Sequence, residues 1–198
     1  MRRRHAAIAT FTSAAFLFGG SSLASELGLR VNFTHSAPVG VYRVLPVQYG
    51  GELSRGELVE LCAPDLPLIR LLQQRGFIEE GSCADTHVIP FLKPVAAVAG
   101  DVVNIQHGRD AMVNGAIVPN TVALSNIPAW ADGTYIVAPG TIWVFSSYSS
   151  GSLDSRYFGP VSLNRVDGKA SPVLVSGNVT AMTPWQLQLA NKKVRGLE

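Results

Sequence analysis

The chain has 198 residues, a length typical of one domain. Hydrophobic residues make up 47% of the sequence and charged residues only 15%, a balance that excludes intrinsic disorder. The net charge of +2 provides no strongly basic surface, so we predict no nucleic-acid partner. With 19 glycines and 12 prolines, long helices are disfavoured and a turn-rich, mainly β architecture is expected.

The amino terminus has the pattern of a membrane-targeting segment. Residues 2–5 read Arg-Arg-Arg-His, and residues 6–24 carry no charge. A positive head followed by an uncharged apolar stretch is typical of a secretory signal or a membrane anchor. We therefore expect residues 1–25 to be that signal or anchor, with its positive head inside. Residues 26–198 would then form a domain on the other side of the membrane.

Short alternating runs bounded by turn residues predict strands along the rest of the chain. The Asn114-Gly115 pair is a strong signal for a tight hairpin. A longer apolar run at residues 93–105 is interrupted by Gly100-Asp101. The other predicted strands cover residues 40–46, 57–61, 134–137 and 141–146. The prediction is a mainly antiparallel β fold.

One segment has helical periodicity instead. Leu68, Leu71 and Leu72 recur at helical spacing, and Gly76 is a typical stop signal, so residues 67–77 are predicted to form a short helix.

The only two cysteines, Cys62 and Cys83, enclose this predicted helix. Their spacing fits no zinc or redox motif. In an oxidising compartment two such cysteines usually pair, and the alternative is two free, buried thiols. We expect a disulfide that encloses residues 62–83 as an insertion.

Lys93 lies in an apolar strand, in a chain whose first 92 residues contain no lysine. A lysine acts as a base only if its pKa falls from about 10.4 by about 3 units, which costs roughly 4 kcal/mol. Desolvation among apolar side chains can produce that change, and arginine cannot be tuned in this way. The alternative is an edge lysine whose ammonium group reaches water.

Two further segments contain polar side chains suited to chemistry. Ser36 lies in residues 32–42, Asn-Phe-Thr-His-Ser-Ala-Pro-Val-Gly-Val-Tyr, where a serine before proline is by itself an ordinary turn residue. Residues 151–160 read Gly-Ser-Leu-Asp-Ser-Arg-Tyr-Phe-Gly-Pro. On a predicted strand, Asp154 and Arg156 face the same side and can pair. Such a pair is usually structural, but it could also brace a catalytic lysine or serine.

Taken together, these segments resemble the type I signal peptidases. Ser36 in Ser-x-Pro-x-Gly-x-Tyr, Lys93 before Gly-Asp, and Ser-x-Asp-Ser-Arg before Phe-Gly-Pro follow the family's order over roughly residues 30–175. General signal peptidases usually have Met-x-Pro-Thr after the serine and arginine after the lysine. Here Ala37-Pro38-Val39 and Pro94 stand in those places, and Asn-x-Thr precedes the serine. In these positions the sequence resembles the TraF-type conjugative pilin peptidases.

The resemblance implies a partly open antiparallel barrel and assigns roles by position. Ser36 is the implied nucleophile and Lys93 the implied general base. Thr34 is the implied oxyanion-stabilising hydroxyl, together with the Ser36 backbone N–H. Asp154 is implied to matter for catalysis in pilin peptidases. Supporting roles are implied for Ser152 and Arg156.

The implied function is that of a membrane-associated Ser/Lys endopeptidase in the periplasm, at the inner membrane. Its partners would be a membrane-embedded propilin and the conjugative transfer apparatus, and no cofactor is implied. Some members of the family pass the acyl-enzyme to the substrate's own amino terminus, making a cyclic pilin. The alternatives are a general signal peptidase and a non-catalytic secreted β-domain that binds transfer proteins.

Histidine is disfavoured as the base. His35 adjoins Ser36, so in an extended segment the two side chains point opposite ways. His87 and His107 lie in no recognisable catalytic motif. A metal hydrolase is disfavoured as well, since no His-Glu-x-x-His or clustered ligand set occurs, and no metal site is predicted.

Overall fold

A computed structural model describes residues 26–47 and 52–176, so the predicted signal or anchor at residues 1–25 lies outside the described part. The described chain is mainly β, as predicted, and its strands pair antiparallel. The strands are β1 (Leu29–Asn32), β2 (Gly40–Pro46), β3 (Leu58–Leu61), β4 (Phe91–Ala97), β5 (Val102–Ile105), β6 (Met112–Val113), β7 (Ala116–Ile117), β8 (Gly133–Ile136), β9 (Thr141–Val144), β10 (Val161–Ser162) and β11 (Val166–Val175). The helices are α1 (Pro67–Gln74) and α2 (Ser155–Phe158), followed by a 3₁₀ turn at Leu163–Arg165.

The strands form two sheets. The larger sheet has seven strands in the order β1-β2-β11-β3-β4-β9-β10, and the smaller has four in the order β7-β6-β5-β8. Strand β11 pairs with β2 on one side and with β3 on the other, and its pairing with β2 shifts register between Pro172 and Leu174. The strand that follows Ser36 and the strand that contains Lys93 therefore belong to one sheet.

Strand β9 contributes to two hydrophobic cores. Its alternate residues Ile142 and Val144 pack into one core, together with residues of β3 and β4. Trp143 and Phe145 point the other way, into a second core with residues of β5 and β6. All four side chains are almost fully buried. This strand therefore fixes the smaller sheet against the larger one.

The short helix and the disulfide were both predicted correctly. Helix α1 has Pro67 in its first turn, where the missing N–H costs no hydrogen bond, and the chain turns away at Gly76 with a φ of +74°. The helix buries Ile69 and Leu72 in the first core. Cys62 and Cys83 form a disulfide that encloses this helical segment.

The predicted hairpin is also confirmed. Asn114 and Gly115 have φ values of 50° and 76°, the left-handed pair that a type I′ turn between β6 and β7 requires. The apolar run at residues 93–105 divides at Gly100, with a φ of +85°, into β4 and β5. The two halves of that run lie in different sheets.

The predicted strand around residues 154–156 is wrong. The Asp154 side chain accepts a hydrogen bond from the backbone N–H of Arg156 at 3.2 Å and so caps the first turn of α2. A carboxylate at the N-cap accepts from a backbone N–H that has no partner within the helix, which favours a helix start at Asp154.

Within residues 26–47 and 52–176, no helix is both long enough and apolar enough to cross a bilayer.

Candidate active site

Ser36 and Lys93 line one cavity of about 520 Å³ beside the larger sheet. Ser36 lies in the turn between β1 and β2, and Lys93 lies on β4. Thr34 lines the same cavity, so the predicted nucleophile, base and oxyanion hydroxyl are brought together. The apolar part of the wall includes Val31, Phe33, Phe77, Phe91, Leu92 and Leu153.

Lys93 is held in an apolar environment by regular strand pairing. It lies opposite Val59 on the neighbouring strand β3, and only 4% of its surface is exposed. Its Nζ atom donates a hydrogen bond to Ser152 Oγ at 2.9 Å and lies 5.6 Å from the centre of the Phe91 ring. Burial lowers the pKa of Lys93 from 10.5 to about 8, although the negative charge of Asp154 opposes this change. The amine can therefore lose its proton close to neutral pH.

The Ser36 turn is held by hydrogen bonds from side chains. The buried Ser146 hydroxyl donates to the Ser36 carbonyl at 2.6 Å. The Tyr42 hydroxyl donates to the Pro38 carbonyl, also at 2.6 Å. The Asn32 amide shares its two protons among three carbonyls on both sides of Ser36, at residues 34, 37 and 38. The turn is therefore fixed on both sides of the predicted nucleophile.

Thr34 lies at the cavity wall, but its hydroxyl already has an acceptor. Thr34 Oγ1 donates to Asn32 Oδ1 at 2.8 Å, and the Thr34 backbone N–H donates to the same oxygen at 3.1 Å. A hydroxyl has a single proton, so Thr34 can stabilise an oxyanion only after turning away from Asn32.

Asp154 and Arg156 form a buried ion pair behind the site. Arg156 Nε and Nη2 each donate to the Asp154 carboxylate at 2.8 Å, and the two residues are 0% and 1% exposed. Asp154 also accepts from the Ser146 backbone N–H at 3.0 Å, and Arg156 donates to the Ser146 carbonyl at 3.0 Å. Further Arg156 donations go to the Ser150 and Asn120 carbonyls.

This ion pair contacts both the part of the chain that holds Ser36 and the loop that contacts Lys93. It holds Ser146, whose hydroxyl bonds to the Ser36 carbonyl. It also holds the loop at Ser150, two residues before the Ser152 hydroxyl that binds Lys93. The predicted pairing of Asp154 with Arg156 is therefore present, in a helix cap rather than on a strand.

Three histidines were possible alternative bases, and none of them faces this cavity. His35, His87 and His107 are all exposed, and none lines the cavity that contains Ser36 and Lys93 in the described part of the chain. His35 points outward from the turn, whereas its neighbour Ser36 is buried.

Sequence reasoning assigned no role to Asn32, Tyr42 or Ser146, which hold the Ser36 turn. Two of them are visible in the motif, as the Asn of Asn-x-Thr and the final Tyr of Ser-x-Pro-x-Gly-x-Tyr. Ser146 has no comparable signal, because its importance depends on a contact 110 residues away along the chain.

Comparison with known proteins identifies the family of the chain. Residues 2–175 match the family model for signal peptidase, peptidase S26. The chain therefore belongs to the signal peptidase family S26, a family of serine peptidases.

Within that family, the similar proteins are TraF proteins of conjugation, as the sequence motifs predicted. The chain is 33% identical over 176 residues to the conjugal transfer protein TraF of Agrobacterium tumefaciens strain 15955, covering 87% of this chain and 97% of that protein. It is 34% identical over 173 residues to the probable conjugal transfer protein TraF of Sinorhizobium fredii, covering 84% and 87%. It is 29% identical over 167 residues to a plasmid transfer protein TraF of Escherichia coli, covering 81% and 90%.

Among solved structures, a crystal structure of a signal peptidase I from Enterococcus faecalis aligns with a TM-score of 0.34 and 18% identity. That alignment covers 60% of this chain and 96% of the other.

Proposed function

We propose that this chain is a Ser/Lys endopeptidase that processes a propilin during conjugation. Ser36 would be the nucleophile and Lys93 the general base. The observation that supports this assignment is the burial of Lys93 in the cavity that Ser36 lines, which lowers the pKa of the lysine to about 8. An amine that can become neutral and that lines the same cavity as a serine supports nucleophilic catalysis without histidine.

The proposed acylation step transfers one proton twice. Neutral Lys93 takes the proton of the Ser36 hydroxyl while the serine oxygen bonds to the scissile carbonyl carbon. The peptide C–N bond then breaks, and the Lys93 ammonium gives the proton to the departing amine. The product is an ester between Ser36 and the new carboxyl end of the substrate.

In the second step, a nucleophile attacks this ester. Attack by water releases a linear product. Attack by the substrate's own amino terminus forms a new peptide bond and releases a cyclic pilin, which needs no ATP because the ester retains the energy of the cleaved peptide bond. We propose the cyclic product as the second outcome that this site can support.

The proposed partners follow from the relatives and from the cavity. The names of the similar proteins place them in conjugal and plasmid transfer, which supports a pilin substrate and contact with a transfer apparatus. Phe33 and Phe77 line the cavity with 79% and 74% of their surfaces exposed, which suits an apolar, membrane-embedded substrate. We propose a periplasmic location at the inner membrane, as the pattern at residues 1–25 predicts.

Mass spectrometry of a pilin precursor co-expressed from the same conjugative element tests the proposal. With the wild-type chain, we expect the precursor to lose a terminal segment, and a cyclic product to weigh one water less than the linear product. The variant Ser36→Ala should leave the precursor uncut, because the nucleophile is absent. The matched control Ser147→Ala removes a hydroxyl nearby and should process normally. Processing by Ser36→Ala at the wild-type rate would contradict the proposed nucleophile.

A further inference from the structure

We propose that Asn32 is a positioning residue for this reaction: its side chain holds the Ser36 turn in shape and keeps the Thr34 hydroxyl next to the reacting carbonyl. This inference rests on the proposed Ser/Lys function. Its basis is the convergence of five hydrogen bonds on the two ends of one carboxamide.

The nitrogen end of Asn32 closes the turn. Its Nδ2 atom lies 2.9 Å from the carbonyl oxygen of Thr34 and 3.1 Å from those of Ala37 and Pro38. These carbonyls flank Ser36 on both sides. Without the amide, the carbonyls of Thr34 and Ala37 would lose this donor, and only the Pro38 carbonyl would keep one, the Tyr42 hydroxyl; the loss is most unfavourable at the buried Ala37 contact. The turn would then open, and Ser36 would move.

The oxygen end of Asn32 controls the Thr34 hydroxyl. Asn32 Oδ1 accepts from both the backbone N–H and the hydroxyl of Thr34. When negative charge develops on the substrate oxygen, the hydroxyl proton can turn towards it. Asn32 Oδ1 then keeps the backbone N–H as its donor, so no buried acceptor is left without a partner. Asn32 thus keeps the hydroxyl proton of Thr34 close to the substrate oxygen that becomes negatively charged.

The backbone gives Asn32 a rigid base. It is the last residue of β1 and lies opposite Gly40, the first residue of β2, so it stands where the two strands enter the turn. Gly40 has a φ of +152°, and a Cβ atom there would lie 2.2 Å from the Leu174 carbonyl oxygen. Only glycine fits that position. The end of the turn opposite Asn32 is therefore fixed by close packing against β11.

The first test is the variant Asn32→Asp. This change keeps the shape and the acceptor oxygen but replaces the donating NH₂ with a second oxygen that faces three carbonyls. We expect kcat for pilin cleavage, and the rate of Ser36 acylation by a penem, to fall by about 100-fold, a loss that a shift of about 1 Å in a reacting group can cause. KM should stay within about two-fold, since the exposed apolar side chains of the wall, Phe33 and Phe77, are unchanged.

The pH profile separates positioning from general damage. Asn32→Asp adds a carboxyl group to the cavity that Lys93 lines, and a negative charge there raises the pKa of the lysine, so its activity rise should move to higher pH. The uncharged variant Asn32→Ala should leave the midpoint of the rise near pH 8. The matched control is Asn104→Asp: Asn104 donates to Thr134 Oγ1 at 2.7 Å at an exposed position of the smaller sheet. That control should retain wild-type kcat, KM and pH profile.

A second variant, Asn32→Ala, removes the amide without adding a charge. We expect the same fall in kcat and acylation rate, with an unchanged pH midpoint and a folded protein by circular dichroism. Wild-type acylation by either folded variant would overturn the inference. Loss of the folded state in both variants would also overturn it, in favour of a purely structural role. Either result leaves the Ser36→Ala test of the proposed function unaffected, so the two failures can be told apart.

Discussion

The two halves of the candidate site are built in different ways. Lys93 lies on a regular strand, paired with β3, and its reactivity depends mainly on the exclusion of water. Ser36 lies in an irregular turn whose shape depends on hydrogen bonds from three separate side chains. The proposed base therefore depends on burial and the proposed nucleophile on geometry.

Because of this difference, changes near Lys93 and changes near Ser36 should have different effects on the pH dependence and the rate of the reaction. A change near Lys93 alters its desolvation and so moves the pH at which the site becomes active. A change near Ser36 alters distances and so lowers the rate at every pH. The buried Asp154–Arg156 pair contacts both halves, and its loss should therefore affect both.

The largest expected effect comes from Lys93→Arg. A guanidinium stays protonated at every usable pH, so this variant should be as inactive as Lys93→Ala, with a loss of about 1,000-fold or more in kcat/KM. The measurement is cleavage of the co-expressed pilin precursor, with Lys169→Arg as a control. Lys169 is also on the larger sheet, but it pairs with Glu57 outside the cavity. Substantial activity in Lys93→Arg would mean that residue 93 supplies a charge rather than a base.

Removing one member of the buried ion pair should have the next largest effect. Arg156→Met leaves Asp154 as an uncompensated buried charge and takes donors from three backbone carbonyls. We expect the free energy of unfolding to fall by about 3–5 kcal/mol, measured by urea denaturation. The comparison is Arg70→Met, because Arg70 forms an exposed ion pair with Asp65, and such pairs contribute little. Equal losses in the two variants would contradict the bridging role of the buried pair.

The smallest effect is expected from replacing the histidines, which tests whether lysine or histidine is the base. In the proposed mechanism, deprotonation of Lys93 creates the active form. Because burial lowers the pKa of Lys93 to about 8, activity should rise as pH increases through about 8. A histidine base would give a rise nearer 6.5. The variants His35→Gln, His87→Gln and His107→Gln should each leave this rise in place, because all three histidines are exposed outside the cavity.

Kinetic profiles recorded between pH 5.5 and about 9.5 would measure this rise for each variant. If one histidine variant abolished processing while remaining folded by circular dichroism, the base would have to be reassigned to that histidine.

Candidate reactive side chains and local turns could be recognised in the sequence. Lys93 stood out because burial in an apolar run can lower the pKa of a lysine, which arginine does not allow. Asn114-Gly115 specifies its turn through backbone geometry alone. Asn32 could not be assigned a role, because three of its bonds go to backbone carbonyls, which every residue has. Its position in the turn appears only after folding.

Strand β11 and helix α2 could not be predicted from the sequence either. The partners of β11 lie more than 100 residues earlier in the chain, and its Gly168 and Pro172 obscure the alternation that marks a strand. Two residues spaced as Asp154 and Arg156 share a face on a strand, and the spacing alone did not reveal that the first caps a helix.

The position of β11 also has a consequence for the order of synthesis. Among the described residues, this strand, at Val166–Val175, is the last of the larger sheet in chain order. It nevertheless lies between β2, which follows Ser36, and β3, which pairs with the strand that contains Lys93. Until the ribosome has added these residues, the two parts of the sheet have no strand to join them. A nascent chain therefore lacks the assembled site, and proteolytic capacity is delayed until β11 has emerged from the ribosome.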